Sequence, residues 1–353
     1  MTDGETGAVV ALDIGGTKIA SAIGDASGEL RRRRTRPTEA ERGAERVLES
    51  AIALANEVLC EERASGGDVR ALGVSTMGLT RVDRVDLAPN VPGWAGLAIP
   101  AAIGEAFPAL PAAFGNDVKL AALAELTWGA LAGIACGVYL NLGTGIAAAL
   151  VVGGQVVEGA HGAAGEIGYW LTDGSATPRM AADGAVPTEE ALGGRGVARQ
   201  SAALFGQPVE VAELIARAGD DQRAQALLQR VWDEIGTLVA NLAIVCDPEV
   251  LALGGGYVRS DRFPIDAIAR LVARAVPYPP KVMRARFAGD ASLHGAVAVA
   301  LRDCLGGARP GWSSTSRAAA RPSTGPSALV PNEFYRSHAI SKYEQPTSKE
   351  GER

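Results

Sequence analysis

One local pattern occurs twice in this chain, and the repetition narrows the folds open to it. "VALDIGGTKIASAIGD", residues 10 to 25, reads as an apolar strand, a tight Gly-Gly turn and a second apolar strand. "GVYLNLGTGIAAALVVGGQVVEG", residues 137 to 159, echoes it around a Gly-Thr-Gly turn. Such strands belong in a sheet core, yet Asp13 sits among the apolar residues of the first one. An acid there needs a partner or a task.

Helical spacing separates the strand units. "GAERVLESAIALANEVLCEER" (43–63) places Val47, Leu48, Ala51, Ile52, Ala55, Val58 and Leu59 on one stripe. "ALGVST" (71–76) reads as a buried strand. "AAFGNDVKLAALAELTWGAL" (112–131) begins as strand or loop and becomes an alanine-rich helix. Asn116 and Asp117 lie at its start, where polar caps are favoured. "GTLVANLAIVCDPEVLALGGGYVRS" (236–260) reads as helix, Asp-Pro break, strand and three glycines. "SLHGAVAVALRDCL" (292–305) is a closing helix. This order predicts two mixed α/β domains of related design. The expected division is 1–118 and 119–291, with helix 292–305 rejoining the first domain. From Gly306 the chain turns rich in Gly, Pro, Ser, Arg and Ala without periodicity, and 306–353 is expected to be a disordered tail.

Composition excludes several classes. The formal net charge of -6 is a poor match for nucleic acid or an anionic membrane. The basic run "RRRRTR" (31–36) reads as a solvated strand face. Cys60, Cys136, Cys246 and Cys304 are far apart, which suits reduced thiols better than a disulfide framework. The apolar runs are short or broken by glycine, so neither a membrane span nor a signal segment is expected, and a cytoplasmic location fits.

Glycine turns let backbone N–H groups approach an anion without a Cβ in the way. Three occur here: Gly15-Gly16-Thr17, Gly143-Thr144-Gly145 and Gly254-Gly255-Gly256. None fits the P-loop or the dinucleotide pattern. Taken singly, each could be an ordinary hairpin. Asp117 could equally be a helix cap, Glu166 a solvated loop residue and Lys18 a surface lysine.

The ordered set is more specific. "ALDIGGTKIASAIGD", "APNVPGW", "FGNDVKLAALAE", "NLGTGIAAALVVGGQVVEGAHGAAGEIGY" and "CDPEVLALGGG" follow one another in the chain. Together, over roughly residues 8 to 305, they resemble the ROK family of sugar kinases within the actin-like ATPase superfamily. The resemblance implies two actin-like (ribonuclease H-like) α/β domains, with ATP and substrate in the cleft between them. It implies that Asp13 helps hold Mg²⁺, through water. Gly15, Gly16, Thr17 and Lys18 would form the first phosphate turn. Gly143, Thr144 and Gly145 would form the second, and Gly254 and Gly255 would lie beside the adenosine. On the acceptor side the implied residues are Gly78, Asn90, Asn116, Glu166, Tyr169 and Glu189, with Asp117 as general base. A carboxylate in that place can take the proton an alcohol loses as its oxygen bonds to phosphorus. A homo-oligomer is implied as well. The family's transcriptional repressors carry an extra N-terminal DNA-binding module. Only 12 residues precede Asp13, so a kinase is expected over a repressor. A catalytically silent sugar sensor remains the alternative.

The sequence departs from the family at two places. The family's zinc histidine is replaced by Tyr169, and its three cysteines by Met180, Ala182 and Pro187, so no zinc is expected. Isolated His161 and His294 read as structural. The Pro-Gly ahead of the sugar becomes Met77-Gly78. Both changes fall near the expected acceptor pocket. The resemblance therefore leaves two acceptors open: a hexose such as glucose, or a C7-cyclitol, its carbocyclic mimic in aminocyclitol antibiotic pathways.

Overall fold

The computed structural model describes residues 7–88, 91–171, 180–287 and 289–306. Asn90, residues 172–179 and the expected tail beyond Gly306 lie outside the described residues.

The chain opens with three antiparallel strands, β1 (Ala8–Ile14), β2 (Lys18–Gly24) and β3 (Leu30–Pro37). Helix α1 (Ala44–Ala64) returns the chain to β4 (Val69–Thr76), parallel to β1. A short hairpin, β5 (Leu79–Thr80) with β6 (Val85–Asp86), and α2 (Ile99–Ala106) precede β7 (Ala112–Asn116), from which α3 (Asp117–Trp128) starts directly. The first sheet runs β3-β2-β1-β4-β7. The plan then repeats. Strands β8 (Cys136–Leu142), β9 (Ile146–Val152) and β10 (Gln155–Val156) are antiparallel. Four helices follow, α4 (Pro187–Leu192), α5 (Gly194–Phe205), α6 (Val211–Arg217) and α7 (Gln222–Cys246). Strand β11 (Val250–Gly254), α8 (Ile265–Ala275), β12 (Lys281–Arg284) and α9 (Ala291–Cys304) complete the fold. The second sheet runs β10-β9-β8-β11-β12, the same order of pairings as the first.

Side-chain size on β1 and β2 decides what covers each face. Val10, Leu12, Ile14, Ile19 and Ile23 pack on α1 and α2. Val9, Ala11, Ala20 and Ala22 form a flatter face, covered by Leu293, Ala296, Val297 and Leu301 of α9. The approach is close enough to require glycine twice. A Cβ on Gly73 of β4 would lie 1.8 Å from the Ala296 carbonyl oxygen, and one on Gly295 would lie 2.0 Å from that of Leu120 in α3. Helix α3 is in turn buried nearly all round, because its other neighbours are Tyr139, Ala149 and Val151 of the second sheet. Its Glu125 is fully buried and accepts backbone N–H bonds from Ala130 (2.7 Å), Arg286 (3.1 Å) and Phe287 (2.8 Å).

The "RRRRTR" run is β3, and it is more than a solvated face. Arg31 and Arg32 both reach Glu62 of α1, while Arg34 pairs with Glu61 and Arg36 with Glu57. Two consecutive arginines can reach one acid because the β2–β3 register shifts there and Arg32 has a positive φ of 53°. The cluster's charge is largely matched inside the fold.

Gly295→Ala should cost about 3 kcal/mol, the upper part of the usual overpacking range. Gly104→Ala, in α2 with nothing within 4 Å of its added Cβ, should instead stabilise by about 0.5–1 kcal/mol. Denaturant midpoints of the two variants check both signs.

Candidate active site

Because the two sheets share one strand order, their first turns occupy equivalent places. The β1–β2 turn and the β8–β9 turn line the same cavity of about 450 Å³. Gly15, Gly16, Thr17 and Lys18 border it on one side, and Gly143, Thr144 and Gly145 on the other. The first turn is pinned by Gly15 N–H to the Lys18 carbonyl (3.0 Å), by Thr38 Oγ1 to the Gly15 carbonyl (2.6 Å) and by Thr38 N–H to the Thr17 carbonyl (3.1 Å). The second is closed by Gly143 N–H to the Gly145 carbonyl (3.1 Å) and tied to α5 by Gly194 N–H (2.9 Å). The amides of Gly16, Thr17 and Thr144 have no acceptor among the described residues. Donors left over at two facing turns suit an extended polyphosphate.

Asp13 is the next-to-last residue of β1, 7% exposed. Its Oδ2 accepts from Ser292 Oγ of α9 at 2.7 Å, while its Oδ1 has no partner. Burial raises its pKa, opposed by the Ser292 hydroxyl and the Lys18 charge. An unpartnered carboxylate oxygen between two phosphate-type turns fits Mg²⁺, which takes one or two carboxylates together with phosphate oxygens and water. Among the described residues no group of three His, Cys, Asp or Glu could hold a metal ion by itself.

Helix α3 delivers the second acid. Asn116 is its cap: Oδ1 accepts from the N–H groups of Val118 (3.1 Å) and Lys119 (3.2 Å), and Nδ2 donates to the Gly78 carbonyl (3.2 Å). One Asn116 N–H remains for a ligand. Capping is thus done by Asn116, and Asp117 is left facing the cavity with a single bond, from Val118 N–H at 2.9 Å. Burial, then the Asp13 charge, with a smaller push from Glu166, raises its pKa to about 7 against the pull of the Val118 N–H.

Glu166, Tyr169 and Glu189 line the remaining wall. The Glu166 carboxylate and the Tyr169 hydroxyl have no hydrogen-bond partner among the described residues. Glu189 Oε2 accepts from Ile146 N–H at 3.2 Å and sits where a Cβ on Gly145 would go. Burial raises the pKa of both glutamates and of Tyr169. Met77 and Gly78 border the same wall.

One placement differs from the sequence reading. The cavity is lined by Gly255 and Gly256 but not by Gly254, whose Cβ position lies 2.3 Å from the Tyr139 hydroxyl oxygen. Lys18 bonds Asp290 Oδ1 at 3.2 Å and the Gly289 carbonyl at 3.3 Å, across to the start of α9. Asn90 lies outside the described residues. Reasoning from sequence also missed Ser292 and Arg259, both on the cavity wall. Arg259 follows the third glycine run closely, which was a usable signal; Ser292 had none. His294 does read as structural, with Nδ1 against the Asp290 carbonyl at 2.9 Å and its ring stacked on Phe287.

Residues 9–303 match the ROK family. The N-acetylmannosamine kinase of Vibrio vulnificus (strain YJ016) is 29% identical over 294 residues, 82% of this chain and 96% of that protein. Among solved structures, the ROK hexokinase of Thermus thermophilus is 31% identical, with a TM-score of 0.70 over 85% of this chain and all of that one (100%). The ROK glucokinase of Streptomyces griseus, solved with glucose and AMPPNP, shares the fold at 24% identity and a TM-score of 0.72, covering 84% of this chain and 100% of that one.

Asp117 ties stability to pH. Unfolded, it ionises near 3.8; folded, near 7. Between those values the unfolded chain releases a proton that the folded chain keeps, so stability falls as pH rises. Asp117→Asn removes this loss. Its melting temperature should gain on wild type steadily from pH 4 to pH 7, and a difference independent of pH would refute the assignment.

Proposed function

This chain belongs to the ROK family, with an actin-like two-sheet α/β fold, and is an ATP-dependent sugar phosphotransferase; from that premise we propose which hydroxyl it phosphorylates and which residues do the work. The acceptor is the primary hydroxyl of a polyhydroxylated six-membered ring, O6 of a hexose or O7 of a C7-cyclitol. The observation that carries this reading is Asp117: a carboxylate with its pKa near 7, released from capping by Asn116, on the wall of a cavity that also holds two glycine turns.

The division of labour follows from the donor and acceptor inventory. Free amides of Gly16, Thr17 and Thr144 donate to phosphate oxygens, where charge concentrates during transfer. Mg²⁺, bound with the nucleotide, supplies neutralisation of phosphate charge, and Asp13 would hold it. Ser292 keeps one Asp13 oxygen in place while the other stays available. Glu166 and Glu189 accept ring hydroxyls, and the spare Asn116 N–H donates to one. Asp117 takes the hydroxyl proton. Its pKa near the working pH combines a useful ionised fraction with real basicity. Tyr169 lies within reach of the Glu166 and Glu189 charges and fills part of the cavity where the family carries a histidine. That keeps the carbocyclic ring beside the hexoses and the N-acetylhexosamine that the relatives' names suggest.

A panel of glucose, mannose, N-acetylmannosamine and a C7-cyclitol, each with ATP, tests the proposal. Turnover should occur with at least one, the product should carry phosphate on a CH₂ oxygen, and xylose, which lacks that carbon, should be inert. Asp117→Ala should lower kcat by about 10²- to 10⁴-fold while nucleotide still binds, and wild-type kcat/KM should climb with pH through about 7. Tight sugar binding without turnover anywhere in the panel would replace the kinase with a sugar sensor.

A further inference from the structure

Glu166 faces the cavity with no hydrogen bond to its carboxylate among the described residues, so its own contacts do not set its position. The loop that carries it must. That loop runs from the end of β10 through Gly159, Gly162 and Gly165, all with positive φ (79°, 73° and 87°). Three residues of this backbone type resist local order; the loop closes turns of its own, with Gly162 N–H to the Gly159 carbonyl (3.3 Å), Ala164 N–H to the Glu158 carbonyl (3.1 Å) and Glu166 N–H to the Ala163 carbonyl (3.3 Å), and it is held from outside as well. Its far end is fixed to β9, where Ala148 N–H donates to the Gly165 carbonyl at 2.8 Å. Its tip is held by two cations from the other side of the cleft.

The first is Lys119, the third residue of α3, only 4% exposed; its Nζ donates to the Gly162 carbonyl. The second is Arg81, between β5 and β6; its Nη2 donates to the His161 carbonyl, and its Nε is fixed by Asp86 at 2.9 Å. Two consecutive carbonyls of one loop are thus gripped by two separate elements. A charged donor makes the stronger kind of hydrogen bond, and a buried ammonium is kept only where something repays its desolvation. The helix that supplies Lys119 also supplies Asp117, two residues earlier.

We propose that Lys119 and Arg81 are positioning residues for the acceptor, clamping the 161–162 peptide carbonyls so that Glu166 stands at a fixed distance from Asp117. The clamp spans the cleft: the base sits on the side that provides the cations, and the ring-binding glutamate on the side that provides the carbonyls. Burial raises the Glu166 pKa and the Lys119 charge opposes that rise, so the clamp also favours the ionised form that accepts hydroxyls. The second cavity, about 210 Å³ beyond Asn116, is lined by Arg81, Lys119, Arg302 and Glu158. Its Arg81 and Lys119 are spent on the loop carbonyls, which leaves the clamp as their assignment. The inference rests on reading Glu166 as an acceptor ligand.

The experiment compares Lys119→Met, Arg81→Gln and Glu166→Gln with wild type, using the panel member with the highest kcat/KM. A misplaced ring ligand should raise the acceptor KM by about tenfold or more in all three, with the ATP KM held within about twofold. Lys119→Arg, which keeps the charge, should recover part of the loss. If Glu166→Gln raises the acceptor KM while both clamp variants match wild type, the clamp is wrong and the reading of Glu166 stands. If Glu166→Gln leaves the acceptor KM unchanged, that reading fails and the clamp with it. Equal rises in both KM values for the two clamp variants would mark a general structural role and overturn the proposal. Should Lys119→Met not fold, Arg81→Gln, on a side chain 34% exposed, carries the same test.

Discussion

Helix α9 lies against backbone on two sides, and most of the site is located by that contact. Gly73 lets it touch β4 and Gly295 lets it touch α3, each at a distance that leaves no room for a Cβ. The first contact sets α9 against β4 and its neighbour β1, the strand that carries Asp13. The second sets it against the helix that begins at Asp117. Ser292, in the first turn of α9, then meets Asp13 at 2.7 Å. Asp13, Asp117 and the Asn116 cap therefore share one packing constraint. Interiors packed to this density transmit displacement with little loss.

The electrostatics of the cavity follow from the same closeness. Asp13 and Glu166 both raise the pKa of Asp117, and Glu189 does the same to Glu166. Carboxylates held this near one another are costly in the absence of cations or hydroxyl donors. A site of this kind gives up stability to gain affinity for the cationic or hydroxyl-bearing groups that complete it. The Lys18 charge opposes the rise at Asp13 and the Lys119 charge that at Glu166, but neither reverses it.

Much of this was legible in the sequence where the signal is local. Glycine turns flanked by apolar strands announce themselves within a few residues, and the doubled turn pattern foreshadowed the doubled sheet order. Asn116 and Asp117 were visible as a helix start, but which of them caps depends on side-chain direction, which spacing does not encode. Gly254-Gly255-Gly256 marked the end of β11, yet a run of identical residues hides its own register; the Tyr139 ring decides that Gly254 stays in the strand. The arginines of β3 could not be matched to Glu57, Glu61 and Glu62, because a strand–helix pairing has no fixed sequence offset. Ser292 was beyond reach for the same reason, lying 279 positions from its partner Asp13.

That long separation also bears on how the chain is made. Synthesis proceeds from the N-terminus, and folding follows the emerging chain. The small-residue face of Val9, Ala11, Ala20, Ala22 and Ala71 is made well before residues 293 to 301, which cover it. The first sheet therefore waits, one face open, while the second sheet and its own helices are translated. A chain cut short before Ala291 would carry both glycine turns, Asp13 and Asp117, yet lack the helix that closes the sheet and the hydroxyl that holds Asp13. Completion of the Asp13 side of the cavity is thereby a late event in the life of each molecule, available only to chains translated through α9.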